Sequence, residues 1–274
     1  MTQLNEAVVL VTGAAGGFGQ EFIRQLLMAN SQLILTDLNQ ISLEKQAEII
    51  QRQVTTGKVI ACLAADLSDR DGCENLYQQV KLLGVPVDIL INNAGIGLFG
   101  RMDEVPSEKW EQLMQVNLLA PMRLSTLFAA DMIARQKGHI VNISSIAGWS
   151  APAGLAHYAT SKFGLRGFSE GLFNEVKIYN VKVTAVYPFF SRTPILKSER
   201  YGKLAQELDD FPEHLATDPV KVIQQTIQGI IRNQLHVFPD RIAENAHLLK
   251  RFAPWCLDWI SDNFKERLKS GSNK

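Results

Sequence analysis

A tyrosine and a lysine four residues apart form a pair of groups that could move a proton. Tyr158 and Lys162 fall on the same face of any helix that contains both. A phenol titrates near about 10, but a neighbouring ammonium stabilises the phenolate and lowers its pKa. Lowering it by about three units requires roughly 4 kcal/mol of differential stabilisation. Such pairs are also common on solvated helix faces, so the other motifs of the sequence must show whether this pair is catalytic.

A glycine-rich segment near the start of the chain is a second chemical feature. Thr12–Gly19 follows an apolar run and precedes a helical pattern, with glycines at Gly13, Gly17 and Gly19 and an aromatic side chain at Phe18. Glycines permit a tight turn and close approach of the backbone to a ligand, and a helix N-terminus attracts phosphate. The segment therefore predicts a pyrophosphate site; a ligand-free strand–helix turn is the alternative.

A carboxylate stands at the distance at which dinucleotide-binding folds recognise ribose. Asp37 ends the second apolar run, 24 positions after Gly13. A carboxylate there binds the ribose 2′-hydroxyl and repels a 2′-phosphate. Neither Leu38 nor Asn39 supplies a positive charge to offset that repulsion. We therefore expect NAD rather than NADP, unless Asp37 only caps the next helix.

Alternating elements would position these residues. Segments with helical spacing separate seven short apolar runs: Ala7–Val11, Leu33–Leu35, Val59–Leu63, Ile89–Ile91, Ile140–Ile143, Val181–Val186 and Leu235–Phe238. Continuous apolar strands separated by amphipathic helices indicate a parallel sheet covered on both faces. We predict an α/β fold with a doubly wound (Rossmann) seven-stranded parallel sheet, in a single domain over residues 1–274.

Together these motifs resemble those of the short-chain dehydrogenase/reductase family, over nearly the whole chain. Thr12–Gly19 is similar to the family's cofactor loop, and Asn92-Asn93-Ala94-Gly95 to the motif after its fourth strand. Asp66-Leu67 resembles the pair that contacts adenine. Ser145 precedes Tyr158 by 13 residues, which is the family's spacing.

The resemblance implies a catalytic tetrad of Asn117, Ser145, Tyr158 and Lys162. Ser145 would stabilise charge on the substrate oxygen, and Tyr158 would exchange a proton with it. Lys162 would bind the nicotinamide ribose and lower the tyrosine pKa, and Asn117 would hold a relay water through its backbone. The cofactor contacts implied are Gly13, Gly17, Phe18, Gly19, Asp37, Asp66, Leu67, Asn93, Ala94, Gly95, Tyr158, Lys162, Pro188 and Thr193. A homodimer or homotetramer is implied as well.

One segment departs from the family pattern. After the sixth strand, Pro188 and Thr193 are kept, but Phe189 replaces the usual glycine. If that position requires a positive φ, phenylalanine is strained there and Thr193 is a less secure ligand of the nicotinamide carboxamide. The pair Phe189-Phe190 could wall an apolar pocket or pack in the core.

Two further segments interrupt the alternation. Residues 191–217 form a long excursion ending at Asp218-Pro219, a helix start, and we expect this excursion to bind substrate. The spacing of residues 240–274 predicts a helical tail with large apolar side chains (Leu248, Phe252, Trp255, Trp259, Ile260) and basic neighbours. The tail could cover the pocket, join a subunit interface, contact a membrane surface or pack on its own core.

Composition narrows the class of protein. Lys plus Arg and Asp plus Glu number 28 each, so the neutral chain lacks the basic character of a nucleic-acid binder. Three cysteines without C-x-x-C spacing indicate neither disulfides nor a metal site. The first residues do not resemble a signal peptide and no apolar run is long enough to span a bilayer, so we expect a cytoplasmic protein.

The sequence favours one function and leaves others open. Apolar residues follow Ser145 in the stretch Ile146–Leu155, which suggests an apolar alcohol or ketone as the substrate. We therefore predict an NAD-dependent oxidoreductase that transfers a hydride, with Tyr158 as general acid and base. The alternatives are a catalytically silent dinucleotide-binding sensor or scaffold, and a membrane-surface lipid or steroid dehydrogenase.

Overall fold

The computed structural model describes residues 1–207 and 212–255. Its centre is a seven-stranded, all-parallel sheet with the strand order β3-β2-β1-β4-β6-β7-β9. The strands of this sheet are β1 (Val8–Thr12), β2 (Gln32–Asp37), β3 (Lys58–Ala64), β4 (Ile89–Asn92), β6 (Gly138–Ile143), β7 (Val181–Val186) and β9 (His236–Val237). The predicted doubly wound sheet is confirmed, and every predicted run overlaps one of these strands.

Helices cover both faces of the sheet. One face is covered by α1 (Gly17–Met28), α2 (Gln40–Gln53) and α8 (Pro219–Ile231), and the other by α3 (Arg70–Leu82), α5 (Ala120–Arg135) and α6 (Ala156–Val176). The remaining helices are α4 (Ser107–Met114), α7 (Gly202–Glu207) and α9 (Arg241–Phe252). Because both faces are buried, β1 has no exposed position, which is why its sequence reads as a continuous apolar run.

A second, two-stranded parallel sheet lies apart from the main one. It pairs β5 (Leu98–Gly100) with β8 (Glu199–Tyr201) in a continuous register without a bulge. The pairing joins the segment after β4 to the excursion predicted at residues 191–217. The ends of that excursion are joined as well, because Ser191 and Thr217 form a bridge and the Arg192 amide donates to the Thr217 carbonyl at 3.1 Å.

The turn from β1 into α1 depends on glycine. Gly13 has a φ of +62°, and a Cβ there would lie 2.7 Å from the Ala94 Cα. A Cβ on Gly19 would lie 2.3 Å from the Gly13 carbonyl oxygen and 2.6 Å from the Ala14 Cα. These neighbours are backbone atoms that cannot rotate away, so the loop excludes side chains at both positions.

We expect Gly19→Ala to destabilise the protein by about 2–3 kcal/mol, because the methyl group overlaps backbone atoms. Gly167→Ala is the control: a Cβ at Gly167, within α6, has nothing within 4 Å, so alanine should stabilise the helix by about 1 kcal/mol. Urea unfolding followed by circular dichroism measures both. Equal effects of the two substitutions would contradict the proposed crowding at Gly19.

Candidate active site

The structure brings Ser145, Tyr158 and Lys162 together at the carboxyl end of β6. Ser145 follows β6, and Tyr158 lies in the first turn of α6, close enough to Ser145 for the serine side chain to lower the pKa of the phenol. The Lys162 Nζ lies 5.6 Å from the centre of the Tyr158 ring. A phenol, a hydroxyl and an ammonium in this arrangement can bind a substrate oxygen and exchange a proton with it.

Lys162 is a buried cation. Only 4% of its surface is exposed, and its Nζ donates to the Ile143 carbonyl at 3.0 Å. Burial disfavours the charged form and lowers the pKa of Lys162 to about 8. The group therefore remains mostly protonated at neutral pH, as the predicted role requires.

The pKa of Tyr158 does not move in the predicted direction in the protein alone. Burial raises it to about 12, and the hydrogen bond with Ser145 opposes that rise only in part. The ring packs against a small apolar cluster whose core is Leu98, Val105 and Leu113. Because this packing removes water, the phenol stays protonated unless further positive charge lies beside it.

Asn117 lies within hydrogen-bonding distance of the segment that follows β4. It is fully buried; its Oδ1 accepts from the Ile96 amide at 2.8 Å, and its Nδ2 donates to the Ile96 carbonyl at 2.9 Å. A single π-helical turn, Gln115–Leu119, surrounds it between α4 and α5. A Cβ on Gly95 would lie 3.3 Å from the Asn117 Oδ1 and 3.7 Å from the Lys162 Nζ. The structure therefore places Asn117 close to Lys162, and the water-holding role of its backbone stays a prediction.

Thr12 was not predicted as a site residue, yet its hydroxyl joins two of the predicted motifs. The Thr12 Oγ1 accepts from the amides of Asn93 at 3.0 Å and Ala94 at 2.9 Å. The Asn93 side chain in turn donates to the carbonyls of Thr12 and Gly13. The sequence feature that could have identified Thr12 as a site residue is its position at the end of an apolar strand, directly before the first glycine.

The N-terminus of α1 is open to an anion. Its N-cap residue, Gly16, offers no side chain, and its first turn contains no acidic residue. By contrast, the N-termini of α2, α3, α8 and α9 are each capped by an Asn or Asp side chain: Asn39, Asp69, Asp218 and Asp240. The uncapped amides of α1, together with the side-chain-free loop around Gly13 and Gly19, fit a pyrophosphate group.

Asp37 is directed at this loop rather than at a helix end. Its Oδ2 accepts from the Ala15 amide at 2.9 Å, and its Oδ1 from the Leu38 amide at 2.8 Å. The N-cap of α2 is Asn39, so the alternative role of Asp37 as a helix cap is excluded.

The predicted adenine pair follows the neighbouring strand. Asp66 is exposed, and hydrogen bonds from Ser68 lower the pKa of its carboxyl. Leu67 is buried in the core beside α3. The Ala65 amide donates to the Asp37 carbonyl at 3.0 Å, which places this turn beside the carboxylate.

The segment after β7 accommodates the phenylalanine that stands where the family has glycine. Phe189 does not have a positive φ, so the phenylalanine is not strained. Its amide donates to the Asp240 Oδ2 at 3.0 Å, a bond that anchors the loop without a glycine. The Pro188 carbonyl accepts from the Ile146 amide at 3.0 Å.

The Thr193 side chain packs on Gly17, since a Cβ on Gly17 would lie 2.8 Å from the methyl carbon of Thr193. Thr193 is thus placed against the cofactor loop.

In the apolar stretch after Ser145, the largest side chain, Trp149, packs against Arg166 and His247. Trp149 turns away, with the Arg166 guanidinium stacked 3.2 Å from its ring centre and the His247 ring 4.0 Å away. Apolar residues near Tyr158 come instead from the second sheet and α4, including Trp110 and Tyr201. Sequence order alone could not reveal this, because the three-residue strands β5 and β8 leave no hydrophobic run.

The described residues contain neither a candidate metal site nor a membrane-spanning helix. Within residues 1–207 and 212–255, no cluster of three or more His, Cys, Asp or Glu side chains could hold a metal ion. No helix in the same ranges is both long enough and apolar enough to cross a membrane.

Comparison with known proteins agrees with this geometry. The family model described as short chain dehydrogenase matches residues 7–203, which include the glycine loop and the tetrad. The chain belongs to the short-chain dehydrogenase family. Among relatives, it is 31% identical to human epidermal retinol dehydrogenase 2, over 90% of this chain and 78% of that one. It is 34% identical to bovine 3-ketodihydrosphingosine reductase, over 81% and 69% of the two chains.

Solved structures of short-chain dehydrogenases share the fold. One from Burkholderia phymatum in complex with NAD aligns with a TM-score of 0.81 at 21% identity, over 92% of this chain and 95% of that one. Another, from Sphingobium yanoikuyae in complex with NADPH, aligns with a TM-score of 0.76 at 24% identity, over 95% of each chain. This oxidoreductase family thus includes proteins with either dinucleotide.

A buried ammonium in this short-chain dehydrogenase predicts a pH-dependent stability. The pKa of Lys162 falls from 10.5 in the unfolded chain to about 8 in the folded one, so below pH 8 the folded protein bears a cost of about 3 kcal/mol. Between these values the unfolded state binds more protons, so this cost disappears as pH rises.

We expect Lys162→Met to stabilise the protein at pH 7 by about 1–2 kcal/mol, since loss of the hydrogen bond to Ile143 offsets part of the gain. The difference from the wild type should shrink as pH rises from 8 to 10.5. Urea unfolding of both proteins across this range is the measurement. A difference that does not change with pH would contradict the lowered pKa.

Proposed function

We propose that the chain is an NAD-dependent oxidoreductase that transfers a hydride between nicotinamide and an apolar secondary alcohol or ketone. The observation that carries this proposal is the grouping of Ser145, Tyr158 and Lys162 at the carboxyl edge of the sheet, the same edge at which α1 begins with an uncapped N-terminus. Hydride transfer creates or removes charge on one oxygen, and these three polar groups are suited to stabilise that oxygen and exchange its proton.

Dinucleotide binding is assigned to residues along the carboxyl edge of the sheet. The amides of Gly17, Phe18 and Gly19 would meet the pyrophosphate, and Gly13 keeps the turn tight. Asp37 would bind the adenosine ribose, beside Asp66 and Leu67 at the adenine. On the nicotinamide side are Asn93, Ala94, Gly95, Pro188, Thr193 and Lys162. The bound cofactor supplies or accepts the hydride.

The protein's own groups handle the oxygen and its proton. The Ser145 hydroxyl hydrogen-bonds the substrate oxygen and holds it beside the Tyr158 hydroxyl. In carbonyl reduction, Tyr158 gives its proton to that oxygen; in alcohol oxidation, it takes the proton back. Lys162 provides the positive charge that favours the phenolate, and Asn117 fixes the segment at Ile96 that lies beside the ammonium.

Two lines of support favour an apolar substrate. The apolar cluster against Tyr158 includes Leu98 and Trp110, and the second sheet carries the 191–217 excursion towards the same side chains. In addition, the relatives' names denote an alcohol, retinol, and a ketone, 3-ketodihydrosphingosine. The excursion is therefore proposed as the substrate-binding segment. A cytoplasmic location and a homodimer or homotetramer remain predictions from sequence.

Tyr158→Phe tests the proton-transfer role. Loss of the hydroxyl should lower turnover of apolar ketones with NADH by about 10²–10⁴-fold, while NADH binding changes little. Tyr179→Phe, in the short 3₁₀ turn Lys177–Tyr179 that follows α6, is the matched control and should retain activity. NADH oxidation followed by absorbance, with binding measured by fluorescence, gives both quantities. A Tyr158→Phe protein as active as the wild type would leave only a dinucleotide-binding role.

Asp37→Ala tests the cofactor preference. Removing the carboxylate should weaken NAD binding about tenfold, because a hydrogen bond to a charged group is lost, and should improve NADP binding by ending charge repulsion. Asp71→Ala, an exposed carboxylate in the first turn of α3, is the control and should change neither affinity. Titration of both cofactors measures the result. A wild-type preference for NADP would overturn the assignment of Asp37.

A further inference from the structure

Ser144, the residue directly before Ser145, carries a buried hydroxyl that the proposed reaction does not use. Its exposed fraction is 4%, and its Oγ donates to the Lys162 carbonyl at 3.0 Å. Ser145 has an extended backbone, with a φ of −168° and a ψ of 162°. Because neighbouring side chains of an extended chain point to opposite sides, the two serines have different partners: Ser144 contacts the backbone of α6, and Ser145 lies near the Tyr158 phenol.

Lys162 is held at both ends by two consecutive residues at the end of β6. The tip of its side chain, Nζ, donates to the Ile143 carbonyl at 3.0 Å, and its own backbone carbonyl accepts from the Ser144 hydroxyl. The side chain between these two points is a flexible four-carbon stem. The place of the ammonium therefore depends on where the backbone of Lys162 lies as well as on the bond at the tip, and Ser144 fixes the backbone end.

The backbone that directs the Ser144 hydroxyl is itself tied to the neighbouring strand. The Ser144 amide donates at 2.8 Å to the carbonyl of Val186, the last residue of β7. Two residues further on, the Ile146 amide donates to the Pro188 carbonyl at 3.0 Å. These bonds hold the chain at and after Ser144, so the hydroxyl reaches from a fixed point at the sheet edge to a turn of α6.

The 3₁₀ turn Ile146–Gly148 packs against the same carbonyl. A Cβ on Gly148 would lie 2.8 Å from the Lys162 carbonyl oxygen and 3.0 Å from the Ser144 Oγ. A side chain does not fit at such distances, so glycine allows the turn to lie directly against this hydrogen bond. We call Ser144, Gly148 and Lys162 the Ser144 junction, a close contact between the end of β6, the 3₁₀ turn and α6.

We propose that Ser144 is a positioning residue for proton transfer: its hydroxyl holds the α6 turn that carries Lys162 and so keeps the ammonium beside Tyr158. This role rests on the proposed function, in which Tyr158 exchanges the proton. The Lys162 Nζ lies 5.6 Å from the centre of the Tyr158 ring. Because the attraction between an ammonium and a phenolate falls with distance, a looser turn stabilises the phenolate less and raises the pKa of Tyr158.

Alcohol oxidation requires the phenolate, so its pH dependence tests the role of Ser144. At saturating NAD, Ser144→Ala should shift the acid limb of the kcat profile for an apolar secondary alcohol upward by about one pH unit, which is about a tenfold loss of kcat on that limb. The KM for the alcohol should change by less than about twofold, because the Ser144 hydroxyl contacts the α6 backbone instead of the substrate. Ser144→Thr keeps the hydroxyl and should restore the wild-type profile.

Ser169→Ala is the matched control. Ser169 is another fully buried serine of α6, and its hydroxyl donates to the Leu165 carbonyl at 2.7 Å and accepts from the Asn142 Nδ2 at 2.9 Å. Its removal should destabilise the protein in urea unfolding at least as much as Ser144→Ala does, yet leave the acid limb in place. An acid limb that Ser144→Ala does not move, or that Ser169→Ala moves equally, overturns the proposal, since the Ser144 hydroxyl is then only structural.

Gly148→Ala perturbs the Ser144 junction without removing the hydroxyl. The added methyl group meets the Lys162 carbonyl and should shift the acid limb in the same direction as Ser144→Ala does. If Ser144→Ala does not fold, an unshifted acid limb in Gly148→Ala is enough to reject the positioning role.

Direct titration of the phenol separates the positioning role from the proposed reaction. The tyrosinate absorbance of Tyr158 is taken as the difference between each protein and the same protein with Tyr158→Phe, in complex with the dinucleotide that binds more tightly. The titration midpoint should be higher in Ser144→Ala than in the wild type by about one unit. A wild type that turns over no alcohol or ketone loses the proposed function, yet a raised midpoint still supports the role of Ser144; equal midpoints contradict that role.

Discussion

The site depends on the burial of one ammonium group, that of Lys162, away from water at the carboxyl edge of the sheet. Lys162 is almost completely buried, and its ammonium donates a hydrogen bond to the Ile143 carbonyl, at the end of β6. Burying a cation in that position lowers the stability of the folded protein, and the lowered pKa of Lys162 reflects this loss of stability. The surrounding fold must therefore be stable enough to bear it. Two large apolar layers, one on each face of the sheet, supply that stability.

The parallel sheet places the other groups around this cation. Thr12, Asp37, Asn93 and Ser145 each end a strand or follow one closely, so one edge of the sheet collects them from distant parts of the sequence. The Thr12 hydroxyl and the Asn93 side chain then join the β1 and β4 ends by hydrogen bonds. The ends of the strands hold the polar groups. The less regular 191–217 excursion is connected to this edge because its strand β8 pairs with β5.

Much of this arrangement could be predicted from the sequence, for identifiable physical reasons. Strands buried on both faces leave continuous apolar runs. Ser145 and Tyr158 could be paired in advance because their separation of 13 residues matches the spacing of the family that the motifs resemble. The pairing of β5 with β8 could not be predicted, because three residues are too few to show a period. Nor could the turn of Trp149 towards Arg166 and His247, since tertiary contacts decide that direction.

The opposite pKa shifts of Tyr158 and Lys162 have one cause and a chemical consequence. Burial disfavours charge, so it raises the pKa of the phenol to about 12 and lowers that of the ammonium to about 8. The protein alone therefore holds Tyr158 as a proton donor at neutral pH, the form that carbonyl reduction requires. Alcohol oxidation requires the phenolate, which forms only when additional positive charge lies beside the pair. In the proposed reaction, proton removal by Tyr158 therefore requires that additional positive charge, and without it the buried phenol keeps its proton.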